Sequence, residues 1–171
     1  RHHRAAVLSP QAREKMEASY AWVKQACTFD QPVYGVNTGF GSLARVKIDP
    51  TNSSKLSLNL IRSHAAGVGP LLPVPEVRAM MLLRANALAK GASGCRPVLV
   101  ETLLKMLAKE ITPLVPSQGS CGSSGDLAPL AHLGLALAEG DHGRVCLQGE
   151  EMSASEGMAR AGIERLQMEA K

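Results

Sequence analysis

At 171 residues and 45% hydrophobic side chains, the chain has enough material for one core of ordinary size and reads as one domain. Its formal net charge of +4 comes from 19 basic and 15 acidic residues with no block of like sign, which argues against a nucleic-acid or anionic-membrane partner. No apolar run approaches a membrane span and the opening RHHRAAVLSP lacks a signal-peptide core, so a soluble cytoplasmic protein is expected.

In chain order the pattern is mostly helical. Ser9 before Pro10 predicts an N-cap followed by proline at the first helical position, and Ala12, Met16, Ser19, Val23 and Ala26 recur at helical spacing up to about Cys27. A glycine-rich loop, YGVNTGFGS, runs from Tyr34 to Ser42. Leu56, Leu60 and His64 then fall on one helical face. Pro75 and Pro97 each open a helix that is apolar over more than one face, as expected of segments lying inside a larger assembly. An isolated chain is therefore expected to self-associate. Asp126 is placed to cap a further helix, RVCLQGEEM predicts a small hairpin turning at Gly149, and Ser153 with Glu156 predicts a capping box. Cys27, Cys95, Cys121 and Cys146 are widely spaced among small or apolar neighbours, which suits buried reduced thiols. His2, His3 and His142 lack metal-ligand spacing, and no metal is expected.

The stretch SQGSCGSSGDLAPLAH from Ser117 to His132 spends three glycines and four serines directly before a helix. A linker would be flexible, yet this stretch lies between Pro116 and a capped helix start, which indicates a loop held in place. The G-x-S-x-G pattern of a hydrolase nucleophile is absent. Instead Ser123, Ser124 and Gly125 follow one another. In a tight turn the amide nitrogen of Gly125 can attack the Ser123 carbonyl carbon, since glycine tolerates the backbone angles required. Loss of two waters, one from ring closure and one carrying off the Ser124 hydroxyl, leaves an electrophilic methylidene-imidazolone.

GSCGSSGDLAPLAH resembles the cofactor-forming motif of the aromatic amino-acid ammonia-lyases, with Ser123 in place of the usual alanine. Further resemblances follow in the same order: YGVNTGFG is similar to that family's tyrosine loop, RSHAAGVG to its substrate-pocket segment, and RANALAKGASGCRP to its following helix and loop. GEEMSASEGMARAGIERLQMEAK is similar to the approach to a later active-site strand. The resemblance covers nearly the whole chain, and the family's chains are considerably longer. It implies an all-α fold in which residues 1–171 form the N-terminal domain of a longer subunit, with long glycine-rich loops and a small β-hairpin. It also implies a homotetramer, a small-molecule amino-acid substrate and no external cofactor.

Roles carried over from the family follow residue by residue. Ser123, Ser124 and Gly125 would form 4-methylideneimidazole-5-one (MIO), and Ser124 would supply the methylidene carbon that accepts the substrate amine. Tyr34, in the mobile-lid segment, would remove a proton from the substrate β-carbon. Phenols ordinarily titrate near 10, so such a base needs a site that favours the phenolate. The helix beginning after Asp126 would direct its positive end at the electrophile. His64 would line the substrate pocket, and Ser-His at this point is closer to histidine-specific members than to phenylalanine-specific ones. The implied reaction is ammonia elimination from L-histidine to give urocanate. Phenylalanine or tyrosine elimination, a 2,3-aminomutase, and an inactive piece remain as alternatives. Because the family's sites also use the central helical bundle and neighbouring subunits, the isolated chain is expected to lack activity. Arg84, Asn86, Arg96 and His132 read as structural, hydrogen-bonding groups.

Overall fold

A computed structural model of the chain describes residues 5–121, 125–140 and 142–169. Six α-helices make up nearly half of the described residues: α1 (Pro10–Ala26), α2 (Ser53–His64), α3 (Val74–Ala89), α4 (Pro97–Ala108), α5 (Leu127–Leu137) and α6 (Ala154–Arg160). Five short strands accompany them: β1 (Val68–Leu71), β2 (Ile111–Pro113), β3 (Pro116–Gln118), β4 (Arg144–Leu147) and β5 (Glu150–Ser153).

Local chemistry explains most helix starts. Ser9 Oγ accepts the Ala12 amide at 3.2 Å, and Pro10, which has no amide hydrogen to satisfy, opens α1. Pro97 opens α4 in the same way, whereas α3 begins at Val74, one residue before Pro75. At α6, Ser153 Oγ accepts the Glu156 amide at 3.2 Å. The reciprocal half of the expected capping box gives way to an ion pair of the Glu156 carboxylate with Arg160 one turn on.

The core lies where α1, α3, α4 and α5 meet the small sheet. Met16, Val77, Met81, Leu103, Met106, Ile111, Val145 and Met158 are essentially inaccessible there. Val77, Met81, Ala85 and Leu88 form the inward stripe of α3 at helical spacing. The expected hairpin is present, with Gln148 (φ 53°) and Gly149 (φ 86°) in the two-residue turn that suits the twist of paired strands. It belongs, however, to a three-stranded antiparallel sheet in the order β2-β4-β5, and β1 pairs separately with β3. Neither of these longer-range pairings is part of the sequence expectation.

On its outer face α3 exposes Leu82 and Leu83, the latter 68% accessible. The isolated chain is expected to associate through this face, and sedimentation showing only monomer at high concentration would refute that. No disulfide joins the four cysteines. Cys95 is buried and burial pushes the half-buried Cys27 thiol up, but Cys121 is exposed, contrary to the expectation that all four are interior. No described helix is long and apolar enough to cross a membrane. Among the described residues, no group of three or more metal-ligating side chains comes together.

Candidate active site

The loop bearing Tyr34 is built on a buried polar hub. Asn37, only 3% exposed, donates through Nδ2 to the carbonyls of Ala26 (3.3 Å), Phe29 (3.1 Å) and Gln31 (3.0 Å). Its Oδ1 accepts the Val33 amide at 2.7 Å. Beside it the buried Thr38 Oγ1 accepts the Gly35 amide at 3.2 Å and donates to the Gly39 carbonyl at 3.0 Å. One short amide side chain thus satisfies backbone groups that a compact loop would otherwise leave unpaired. Gly35 turns the chain with φ 69°, and Tyr34 projects outward, 61% exposed, with its ring edge-on to Phe40 at 5.8 Å between centroids. The base of this loop is therefore fixed while its tyrosine stands in the open. Sequence reading found Tyr34 but missed Asn37 and Thr38, although an amide side chain inside a glycine-rich turn was the available signal.

His64 is the last residue of α2. Its Nδ1 lies 2.8 Å from the Leu60 carbonyl oxygen and 3.1 Å from Ser63 Oγ; in the tautomer with the proton on Nδ1 the carbonyl accepts it and Nε2 is left as an acceptor. The chain then turns sharply. Ala65 adopts φ −78°, ψ 57°, and the Ala66 amide donates to the His64 carbonyl at 2.8 Å, an inverse γ-turn that ends the helix. Gly67 follows, its amide donating to His132 Nε2 at 3.1 Å, and β1 begins at Val68. His132 is thus a hydrogen-bonding residue, as expected. Burial holds its pKa below the ordinary value, which suits an acceptor that must stay neutral.

Ser123 and Ser124 lie outside the described residues; the flanks of their loop are well defined. On one side β3 pairs with β1, Val68 opposite Gln118 and Leu71 opposite Pro116. On the other, α5 begins at Leu127, with Pro129 in its first turn, where no intrahelical partner for an amide is lost. Asp126 occupies the N-cap position without its side chain capping the helix, a correction to the sequence reading. Its Oδ1 instead accepts Ser120 Oγ at 3.0 Å, drawing together the two ends of the five-residue span 121–125. Its backbone (φ −85°, ψ 56°) closes a second inverse γ-turn, in which the Leu127 amide donates to the Gly125 carbonyl at 2.9 Å. Gly125 itself is left-handed at φ 75°, with nothing within 4 Å of where a Cβ would stand. The described flanks, Ser120 on one side and Gly125 to Leu127 on the other, are thus held together at a helix start.

Beneath Tyr34 lies a cleft of about 410 Å³ lined by Phe40, Leu60, Ile61, Arg84, Arg96 and Leu99, among others. Its floor includes Met168 and Glu169, held by several polar contacts. Arg96 pairs with the Glu169 carboxylate at 2.9 Å and donates to the Gln167 carbonyl, while Ser57 Oγ donates to the Glu169 carbonyl at 2.9 Å. Tyr20 donates its hydroxyl to the same carboxylate. Its pKa is pushed up to about 12, by burial first and by that acidic partner second, so it remains a neutral donor. Arg96 is thus structural, as expected. Arg84 and Asn86 are exposed, and Arg84 lines the cleft rather than bonding to loop backbone. The cleft brings Tyr34 together with Leu60 and Ile61 of α2. His64 lies one turn further along and is not among the lining residues. It stands instead three residues before Gly67, whose backbone lies against Gly119.

The family model for aromatic amino acid lyase matches residues 1–171. The chain belongs to that family. Among curated relatives, the histidine ammonia-lyase of Geobacillus thermodenitrificans is 53% identical over 163 residues, 94% of this chain and 32% of its own length. That of Myxococcus xanthus is 49% identical over 164 residues, 96% of this chain and 32% of its own. Among solved structures, the ergothionase of Treponema denticola, an ergothioneine-degrading enzyme, superposes with a TM-score of 0.92 at 30% identity, covering 98% of this chain and 33% of that one. The chain therefore spans about a third of the length of these relatives, and its mostly helical fold is that of the corresponding third.

Proposed function

We propose that residues 1–171 form the N-terminal, electrophile-bearing domain of an enzyme that eliminates ammonia from L-histidine to give urocanate, with the complete protein acting as a homotetramer. The observation that carries this reading is the loop around Ser123-Ser124-Gly125. It is pinched by the Ser120–Asp126 hydrogen bond, ends in a left-handed glycine and is set directly on a helix start. Those residues fit MIO, because ring closure needs a tight turn with an unhindered glycine at its third position. Once formed, the group supplies an electrophilic carbon that takes the substrate amine and makes it a better leaving group.

The remaining work belongs to side chains of this domain. Tyr34 stands on an anchored loop with its hydroxyl in the open, where it can reach a substrate entering from solvent and remove the β-proton. The amides of the first turn of α5 favour negative charge developing beside Gly125. His64, with Nδ1 committed to Leu60, offers Nε2 to the N–H of a substrate imidazole. A site built around such a bond rejects analogues lacking the partner more strongly than an apolar pocket rejects a change of size.

His64→Leu in the complete enzyme should therefore reduce kcat/KM on histidine by roughly a hundredfold or more, while leaving the residual rate on phenylalanine unchanged or raised. Steady-state assays on both amino acids read this directly. Equal losses on the two would overturn histidine as the substrate and leave the elimination chemistry standing.

A further inference from the structure

His132 makes a hydrogen bond between elements distant in sequence that ties two parts of the site together. It lies on α5, the helix that follows Gly125 in the chain, and accepts the Gly67 amide at Nε2, 3.1 Å away, 65 residues apart in the chain. Gly67 sits in a slot with no room to spare. A Cβ there would stand 3.0 Å from His132 Nε2 and 3.2 Å from Pro116 Cβ. The same glycine touches the entrance of the triad loop, since a Cβ on Gly119 would stand 3.0 Å from the Gly67 Cα and 3.0 Å from Ala128 Cβ. The backbones of the His64 corner and of the entrance to the triad loop therefore run side by side here at contact distance, one position beyond the Val68–Gln118 pair, and the imidazole holds Gly67 from the α5 side.

We propose that His132 is a positioning residue for the reaction: by accepting the Gly67 amide it sets how Gly67 lies against Gly119, and with it the entrance of the triad loop and the corner that carries His64. The proposal rests on the reading of the triad given above. The bond needs a neutral ring, because a protonated imidazole has no acceptor nitrogen. The surroundings supply that condition. The recess containing His132 is also lined by His142 and Arg144, and Arg62 of α2 reaches the same corner near Gly140. Arg144 is paired with the Glu151 carboxylate at 2.9 Å, and no carboxylate lines the recess itself among the described residues. Burial is what favours the neutral ring, holding its pKa below the ordinary value of 6.5. As pH falls below about 6.5 the unfolded chain takes up a proton that the folded chain refuses, so the contact stabilises fully above that value and progressively less below it.

The test uses the full-length enzyme with His132→Leu, which fills the space without an acceptor, and His132→Gln, whose amide oxygen accepts without titrating. Hydrogen exchange of the peptide containing Gly67 and intact mass of the triad are measured at one pH. Leucine should speed Gly67 exchange roughly tenfold and lower the fraction of chains that have lost two waters. Glutamine should restore both and lessen the loss of thermal stability below about pH 6.5. The proposal is overturned if the leucine variant exchanges and matures like the parent, if the glutamine variant folds without restoring either, or if neither variant folds. If the parent enzyme never loses two waters, the triad reading fails instead, and Gly67 exchange still decides whether His132 holds Gly67 in place.

Discussion

Replacing Ser124 with alanine in the complete enzyme is expected to abolish both the loss of two waters from the triad peptide and the release of urocanate. Alanine has no hydroxyl to leave, so ring closure at Gly125 cannot be followed by the second dehydration, and no methylidene carbon can form. The substrate amine would then depart as an unactivated group. Loss of an electrophile used in every turnover should lower kcat by a thousandfold or more, about 4 kcal/mol in barrier height. Intact-protein mass and the ultraviolet absorbance of urocanate measure the two effects separately. The fold should be unaffected, because the turn is closed by Ser120, Asp126 and Leu127, none of which the substitution touches. An alanine variant that still eliminates ammonia at near the parent rate would refute the electrophile mechanism altogether.

Tyr34→Phe should remove activity on histidine and phenylalanine alike, by roughly 10²- to 10⁴-fold in kcat, the usual worth of a positioned proton acceptor. The variant separates chemistry from structure cleanly. The loop is anchored by Asn37 and Thr38, and a phenylalanine ring keeps the edge-on contact with Phe40, so thermal stability should hold. KM should move little if the hydroxyl acts on the β-proton rather than in binding. A selective loss on one substrate would instead place Tyr34 in recognition. An unchanged rate on both would remove it from the mechanism.

These two outcomes differ from the His64 result in a way that follows from position. Tyr34 and Ser124 are assigned steps common to every substrate, whereas His64 is assigned only the bond that distinguishes imidazole from phenyl. The three variants together therefore resolve the shared chemistry from the choice of substrate.

The sequence by itself was enough for α1, α4, the β4–β5 hairpin and the start of α6, because each is specified by residues within a few positions of one another. Ser9 before Pro10, Pro97 before an apolar run, and Gln148-Gly149 between two short strands act through local capping and turn geometry. The order of glycine-rich motifs likewise disclosed the family. Only the tertiary structure decided what those loops rest on. The pairing of β1 with β3, the addition of β2 to the hairpin, the bond from Gly67 to His132 and the Arg96 grip on Gln167 and Glu169 join residues about 30 to 73 positions apart. Asp126 marks the boundary between the two kinds of information. Its type and place predict a helix cap, but Ser120 reaches its carboxylate first, and the turn before α5 is closed across the loop instead. Local propensity selects among conformations of a few residues, whereas which donor reaches an acceptor depends on where packing has already brought the rest of the chain.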